Sequence, residues 1–182
     1  MIPRNSRHAI LLTLVISTFT ASFARAQYPA LGLLKIETST GKTLATYSSR
    51  ELNSAFQTES YQTLTPWTAN TERITFRGPA LGAVLARHGL AQRAAVQLIA
   101  YDDFITEITQ EEIRKYSPIL AVERNCTKQD VERNTCAPGQ QFRPLSMDEF
   151  GPVYLVWPFE KLPYNYVPGR NSIWVWFVVA IR

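Results

Sequence analysis

The sequence predicts an α+β domain. Short strand and helix patterns follow one another in mixed order along the chain, the arrangement of an α+β architecture. The C-terminal run Ile173–Ile181 is apolar on both faces, as expected of a central strand covered on both sides. Residues 27–182 fit one domain in length.

Leu31 to Glu37 reads as a first strand, and Gly41-Lys42 turns it into a second, Thr43 to Tyr47. Ser48-Ser49-Arg50-Glu51-Leu52 offers a serine cap and an early acid, so a short helix runs to about Phe56. Tyr61 to Leu64 is extended and ends at Pro66, whose predecessor is held extended too. Ile74 to Arg77 alternates as a strand. Gly78-Pro79 is a corner, with Pro79 in the first turn of the following helix. Leu81, Val84, Leu85 and His88 share helical spacing, and Gly89 ends that helix. His88 at the helix end reads as structural, a position where a cation suits the helix dipole.

Ala95 to Ala100 and Phe104 to Ile108 are strands around the turn Tyr101-Asp102-Asp103. Thr109 caps a helix over Gln110 to Lys115, and Glu111-Glu112 at its start reads as solvated. Pro118 to Val122 is a buried strand, and Val153 to Trp157 is another. Pro158 to Pro168 is an aromatic, Pro-rich loop before the C-terminal strand.

Residues 1–26 read as a cleavable leader. Arg4, Arg7 and His8 form a basic start, Ala9 to Phe23 an apolar stretch, and Ala24-Arg25-Ala26 a small-x-small cleavage site. The apolar stretch is short and Ser/Thr-rich for a membrane span; an uncleaved anchor is the alternative. Cleavage before Gln27 implies export, and with it a periplasmic protein.

The leader also dominates the charge. The full chain has 19 basic and 15 acidic residues, and the leader removes three arginines and no acid. What remains is nearly neutral, which gives no support to a nucleic-acid-binding surface.

Cys126 and Cys136 are the only cysteines among the 182 residues. In an oxidising compartment so close a pair reads as a local disulfide. A metal site would need more ligands, and beyond the leader the chain has only His88 as a histidine.

Five short segments stand in an informative order. They are F-R-G-P-A-L at Phe76–Leu81, Y-D-D-F at Tyr101–Phe104, P-I-L-A at Pro118–Ala121, P-L-S-M-D-E-F-G-P-V-Y-L-V-W-P-F at Pro144–Phe159, and G-R-N-S-I-W at Gly169–Trp174. Together they resemble the molybdopterin-binding domain of the sulfite oxidase family, over roughly Leu31 to Arg182. The resemblance implies that family's fold, with mixed sheets and short helices; the cysteine segment would be an insertion in it. In the family a cysteine thiolate ligates molybdenum. The matching stretch here, Thr63-Leu64-Thr65-Pro66-Trp67, has no cysteine. A pterin-binding fold without the metal's ligand implies a non-catalytic pterin-binding protein. Small periplasmic proteins of this appearance are thought to act as pterin sensors for inner-membrane signalling proteins, including enzymes of cyclic di-GMP. The alternatives are a molybdopterin-dependent oxidoreductase without a cysteine ligand, and a vestigial pocket on a docking domain.

The resemblance also marks candidate residues. A pterin presents N–H donors beside a carbonyl, so a carboxylate can accept two bonds in a fork, and its rings need an apolar wall. Asp103 is the first candidate for the fork, with Tyr101 and Phe104 beside it. Asp102 and Asp103 read equally as ordinary turn residues. Trp67 stands at the cofactor mouth of the family and is a stacking wall or a core tryptophan. Arg170 and Ser172 match the cofactor-phosphate loop, which here lacks its lysine; the other reading of Arg170 is a turn residue packed over Trp174. Arg143 borders the cofactor in the family and is a secondary candidate.

Overall fold

Local capping chemistry fixes where the helices begin. In the computed structural model, which describes residues 31–67 and 73–182, Ser48, Thr109 and Thr127 each cap a helix reciprocally with the acid three residues on. Each such box satisfies two backbone or hydroxyl donors at the helix start. The leader expected over residues 1–26 lies outside the described residues. None of the described helices is long and apolar enough to cross a membrane.

The chain is α+β, as the sequence predicts. In order it forms β1 (Leu33–Glu37), β2 (Thr43–Ser48), α1 (Ser49–Ala55), β3 (Thr58–Thr63), β4 (Ile74–Pro79) and α2 (Leu81–Arg87). There follow β5 (Ala95–Ala100), β6 (Ile105–Thr109), α3 (Gln110–Tyr116), β7 (Ile119–Ala121), β8 (Glu123–Asn125) and α4 (Lys128–Glu132). The chain closes with β9 (Phe142–Pro144), β10 (Tyr154–Val156) and β11 (Val178–Ile181), with single 3-10 turns between the last strands.

Among the described residues the strands form three sheets. The largest runs β2-β1-β11-β5-β6, with β1 and β11 parallel and its other neighbours antiparallel. A second is the antiparallel order β3-β4-β8-β9, and the third is the pair β10-β7. Leu34 and Ile36 of β1, Leu81 and Leu85 of α2, Leu120 of β7 and Leu155 of β10 are fully buried in one shared core. Each such side chain contributes roughly 1.5–3 kcal/mol through burial.

Three expectations are corrected. Pro79 is the last residue of β4, not the first helical turn; the N-cap of α2 is Ala80. The segment after β7 is more than a disulfide loop: β8, α4 and β9 form within it and extend the second sheet. The apolar run Ile173–Ile181 is a central strand only from Val178. Its first half is buried at Ile173, Trp174 and Val175, but the chain there follows a 3-10 turn and reaches a left-handed Phe177 (φ 52°). Both halves are apolar because both are buried, and burial alone does not impose extension.

Gly78 has a reason beyond a corner. A Cβ at this position would lie 1.9 Å from the Leu120 carbonyl oxygen, so β4 packs against β7 only with glycine here. Gly89 ends α2 in the left-handed conformation (φ 71°), with the Leu90 N–H bonding Leu85 O and the Gly89 N–H bonding Ala86 O. His88, the C-cap, meets the Tyr47 hydroxyl at 3.0 Å. Burial, and then the Arg87 charge, lower its pKa, so it sits there as a neutral ring rather than the cation the helix end would favour.

Cys126 and Cys136 are joined in a disulfide, leaving no free cysteine. A structural disulfide fits an oxidising compartment.

Candidate functional site

The β5–β6 turn, the exit of β3 and the approach to β11 converge on one cavity of about 260 Å³. Trp67 comes from the exit of β3, Asp102 and Phe104 from the turn. Asn171, Ser172, Trp174, Val175 and Trp176 come from the run before β11. Three of the chain's four tryptophans therefore line the same space. The fourth, Trp157, is core, its indole N–H bonding Ile173 O at 2.9 Å.

The wall is an aromatic cluster. Trp67 and Trp176 meet with centroids 4.6 Å apart and planes at 68°. Phe150 backs both, stacked on Trp176 at 5.0 Å and tilted against Trp67 at 5.8 Å. Tyr154 continues the cluster inward, 5.5 Å from Phe150 and 6.5 Å from Trp174. Trp67 itself is 42% exposed, so it stands at the opening and not in the core.

Backbone bonds hold the walls together. Tyr101 N–H donates to Phe177 O at 3.0 Å, and Phe177 N–H to Phe150 O at 3.2 Å. Asp103, Phe150 and Phe177 all take positive φ, of 65°, 65° and 52°. Non-glycine residues in this region are held there by their surroundings, and such positions gather at functional sites.

The cavity sorts the candidate residues. Trp67, Phe104 and Ser172 are brought together in its wall. The acid among its described lining residues is Asp102, not Asp103. Asp102 Oδ1 accepts from Phe104 N–H at 3.2 Å, an Asx turn, and its carboxylate has no further partner among the described residues. Asp103 fills the left-handed position of the turn, its N–H bonding Ala100 O at 3.1 Å. Tyr101 lies beside the site at 56% exposure.

Two arginines are placed elsewhere. Arg170 Nε and Nη2 donate to Glu112 Oε1 and Oε2 at 2.7 and 2.8 Å, a two-pronged ion pair. Its guanidinium lies 5.8 Å from the Tyr166 ring centroid, so it packs over that ring. Glu112 is buried, not solvated; it also caps α3 at Thr109 and accepts from the Tyr166 hydroxyl at 3.0 Å. Burial would raise its pKa, but the bonds from Arg170, Thr109 and Tyr166 outweigh this and hold it below the usual value. Arg143 belongs to a separate ion cluster with Arg124, Asp130 and Glu149. That cluster ties α4 to β8, β9 and the turn at Met147–Glu149.

Asn171, Trp174, Val175 and Trp176 are site residues that sequence reasoning missed. The W-V-W triplet was the available signal, hidden within a run assigned to a strand. Two buried atoms of this wall, Trp174 Nε1 and Asn171 Oδ1, have no hydrogen-bond partner among the described residues. Buried polar atoms without partners are uncommon and call for a water or a ligand.

Among the described residues no group of three or more His, Cys, Asp and Glu side chains is arranged to hold a metal ion. No protein-family model matches this chain, and neither does any curated protein.

Proposed function

We propose that this chain is a non-catalytic binding protein for a reduced pterin, exported to the periplasm, where it reports ligand to an inner-membrane signalling protein. The observation that carries the binding is the cavity that joins Trp67 and Trp176 to the Asp102 carboxylate. Its volume, about 260 Å³, is near the lower end of small-molecule sites, as suits a compact head group. Indole walls supply stacking, and the carboxylate supplies acceptors for the N–H edge of the pterin. Trp174 and Asn171 of the same lining each carry a buried polar atom with no partner among the described residues, Nε1 and Oδ1. The resemblance to the sulfite oxidase family supports the choice of pterin; the signalling partner, of the cyclic di-GMP class, rests on that resemblance alone.

The residues do not fit the intact molybdenum cofactor. Both cysteines are joined in the disulfide, so neither offers a thiolate to a metal. Arg170, the cation of the matching phosphate loop, is occupied by Glu112. A phosphate there would have to displace a buried carboxylate from its partner.

Ligand released from protein purified out of its own periplasm, identified by fluorescence and mass, tests the proposal. A pterin without molybdenum is expected. Molybdenum in stoichiometric amount would overturn it in favour of an oxidoreductase.

A further inference from the structure

The same cavity has the composition of a cage for an organic cation. Trp67 and Trp176 stand at 68° to each other, so they form two walls of a corner and not one flat face. Phe104 adds a third ring at the lining, and Phe150 fixes Trp176 from behind. The faces of these rings carry negative potential, which attracts a cation placed over them. Asp102 adds a formal negative charge at the rim, and no described lining residue is basic. The nearest arginine in sequence, Arg170, is neutralised by its two bonds to Glu112. Among the described lining residues, every charged contribution therefore has the same sign.

We propose that the cavity binds a small quaternary ammonium solute, a trimethylammonium head group carried by a free molecule. Such a group has no N–H to donate, so it needs rings and a nearby carboxylate instead of a hydrogen-bond fork. It is strongly enough charged to use the field of Asp102 and round enough to fill a corner. The source is a free solute and not a lipid head group. A lipid would bring a phosphate next to Asp102, where no described lining residue is basic. This inference uses the cavity of the proposed function but does not need a pterin to bind there.

The test is calorimetric titration of the protein with choline and with 3,3-dimethylbutanol, its uncharged isostere of the same shape. Choline is expected to bind about tenfold more tightly, the difference being the charge alone. Asp102→Asn should narrow that gap, and Trp67→Leu should weaken choline while leaving the fold intact by near-ultraviolet circular dichroism. Equal affinity for the two compounds, or binding of neither, overturns the proposal. Phosphocholine separates the sources: weaker binding than choline supports a free solute, and equal binding overturns that assignment. A parallel titration with a tetrahydropterin reads the pterin proposal independently. Pterin binding without choline selectivity leaves the proposed function standing and removes this inference; the reverse result does the opposite.

Discussion

Arg170 clasps Glu112 with two hydrogen bonds, Nε to Oε1 at 2.7 Å and Nη2 to Oε2 at 2.8 Å, and so pins the segment leading into the cavity wall to α3. The pair sits between a buried carboxylate and a guanidinium that keeps 36% of its side-chain surface exposed. Removing one partner leaves the other charge without compensation. Glu112→Gln is expected to cost about 2 kcal/mol, below the figure for a fully buried pair because the arginine is partly solvated. Replacing both, as Glu112→Leu with Arg170→Met, should recover much of the loss. Urea unfolding of Glu112→Gln, of Glu112→Leu and Arg170→Met singly, and of the double variant checks this. Additive losses in the double variant would mean the two residues act separately.

The Arg124, Arg143, Asp130 and Glu149 cluster should make stability depend on acid pH. Burial would raise the pKa of Asp130, but bonds from Thr127 and Arg143 and the charge of Arg124 hold it well below its usual value. Glu149 is held to about 2 in the same way, mainly by Arg143, against burial. Both folded pKa values are depressed, so their stabilisation is complete above the ordinary carboxylate range. It fades as pH falls from about 4.5 towards 2, where the folded state must take up protons too. Asp130→Asn should lower the melting temperature at pH 7, and the gap from the natural chain should close on acidification. A gap that is constant with pH would contradict the assignment.

Gly78→Ala should prevent normal folding. Its Cβ would stand 1.9 Å from Leu120 O, a backbone atom of a buried strand that has no rotamer to move. Soluble yield and circular dichroism are the measurements. A folded variant of near-natural stability would show that β4 and β7 separate at little cost.

Loss of the disulfide should destabilise without changing the site. Cys126 and Cys136 are separated by 10 residues, and closing such a loop is worth about 2.8 kcal/mol on the chain-entropy model. The Cys126→Ser, Cys136→Ser variant should unfold at lower urea and bind ligand unchanged. A loss of binding at full folding would link the cysteine segment to the cavity.

Capping and period were legible in the sequence. The serine cap with its early acid Glu51 and the threonine cap Thr109 placed two helix starts, and the strand Ala95–Ala100 was read with its observed bounds. Cys126 and Cys136 were legible because they had no other partner in the chain. Glu112 was not: its place three residues after Thr109 marks a cap, but its burial depends on Arg170, 58 residues away. The choice between Asp102 and Asp103 turns on backbone direction at a single turn, where Asp103 takes φ 65° and Asp102 is left at the cavity. Trp174, Val175 and Trp176 were misread because an apolar run gives the same signal for a central strand and for an irregular buried wall.

The turn geometry also separates the two acids by experiment. Asp102→Asn should weaken pterin binding about tenfold or more, replacing a charged double acceptor by an amide with one acceptor and a donor. Asp103→Asn should have a smaller effect, since asparagine tolerates the same left-handed position. The opposite order, measured by titration, would return the fork to Asp103.

Binding of a tetrahydropterin to the natural chain and to Trp67→Ala, measured side by side by titration calorimetry, tests the central claim most directly. Trp67 is 42% exposed at the opening, so its removal should leave the fold intact. Saturable one-to-one binding to the natural chain is predicted, weakened about tenfold in the variant through loss of stacking and buried area. No binding to the natural chain, or equal binding to both, would contradict the account.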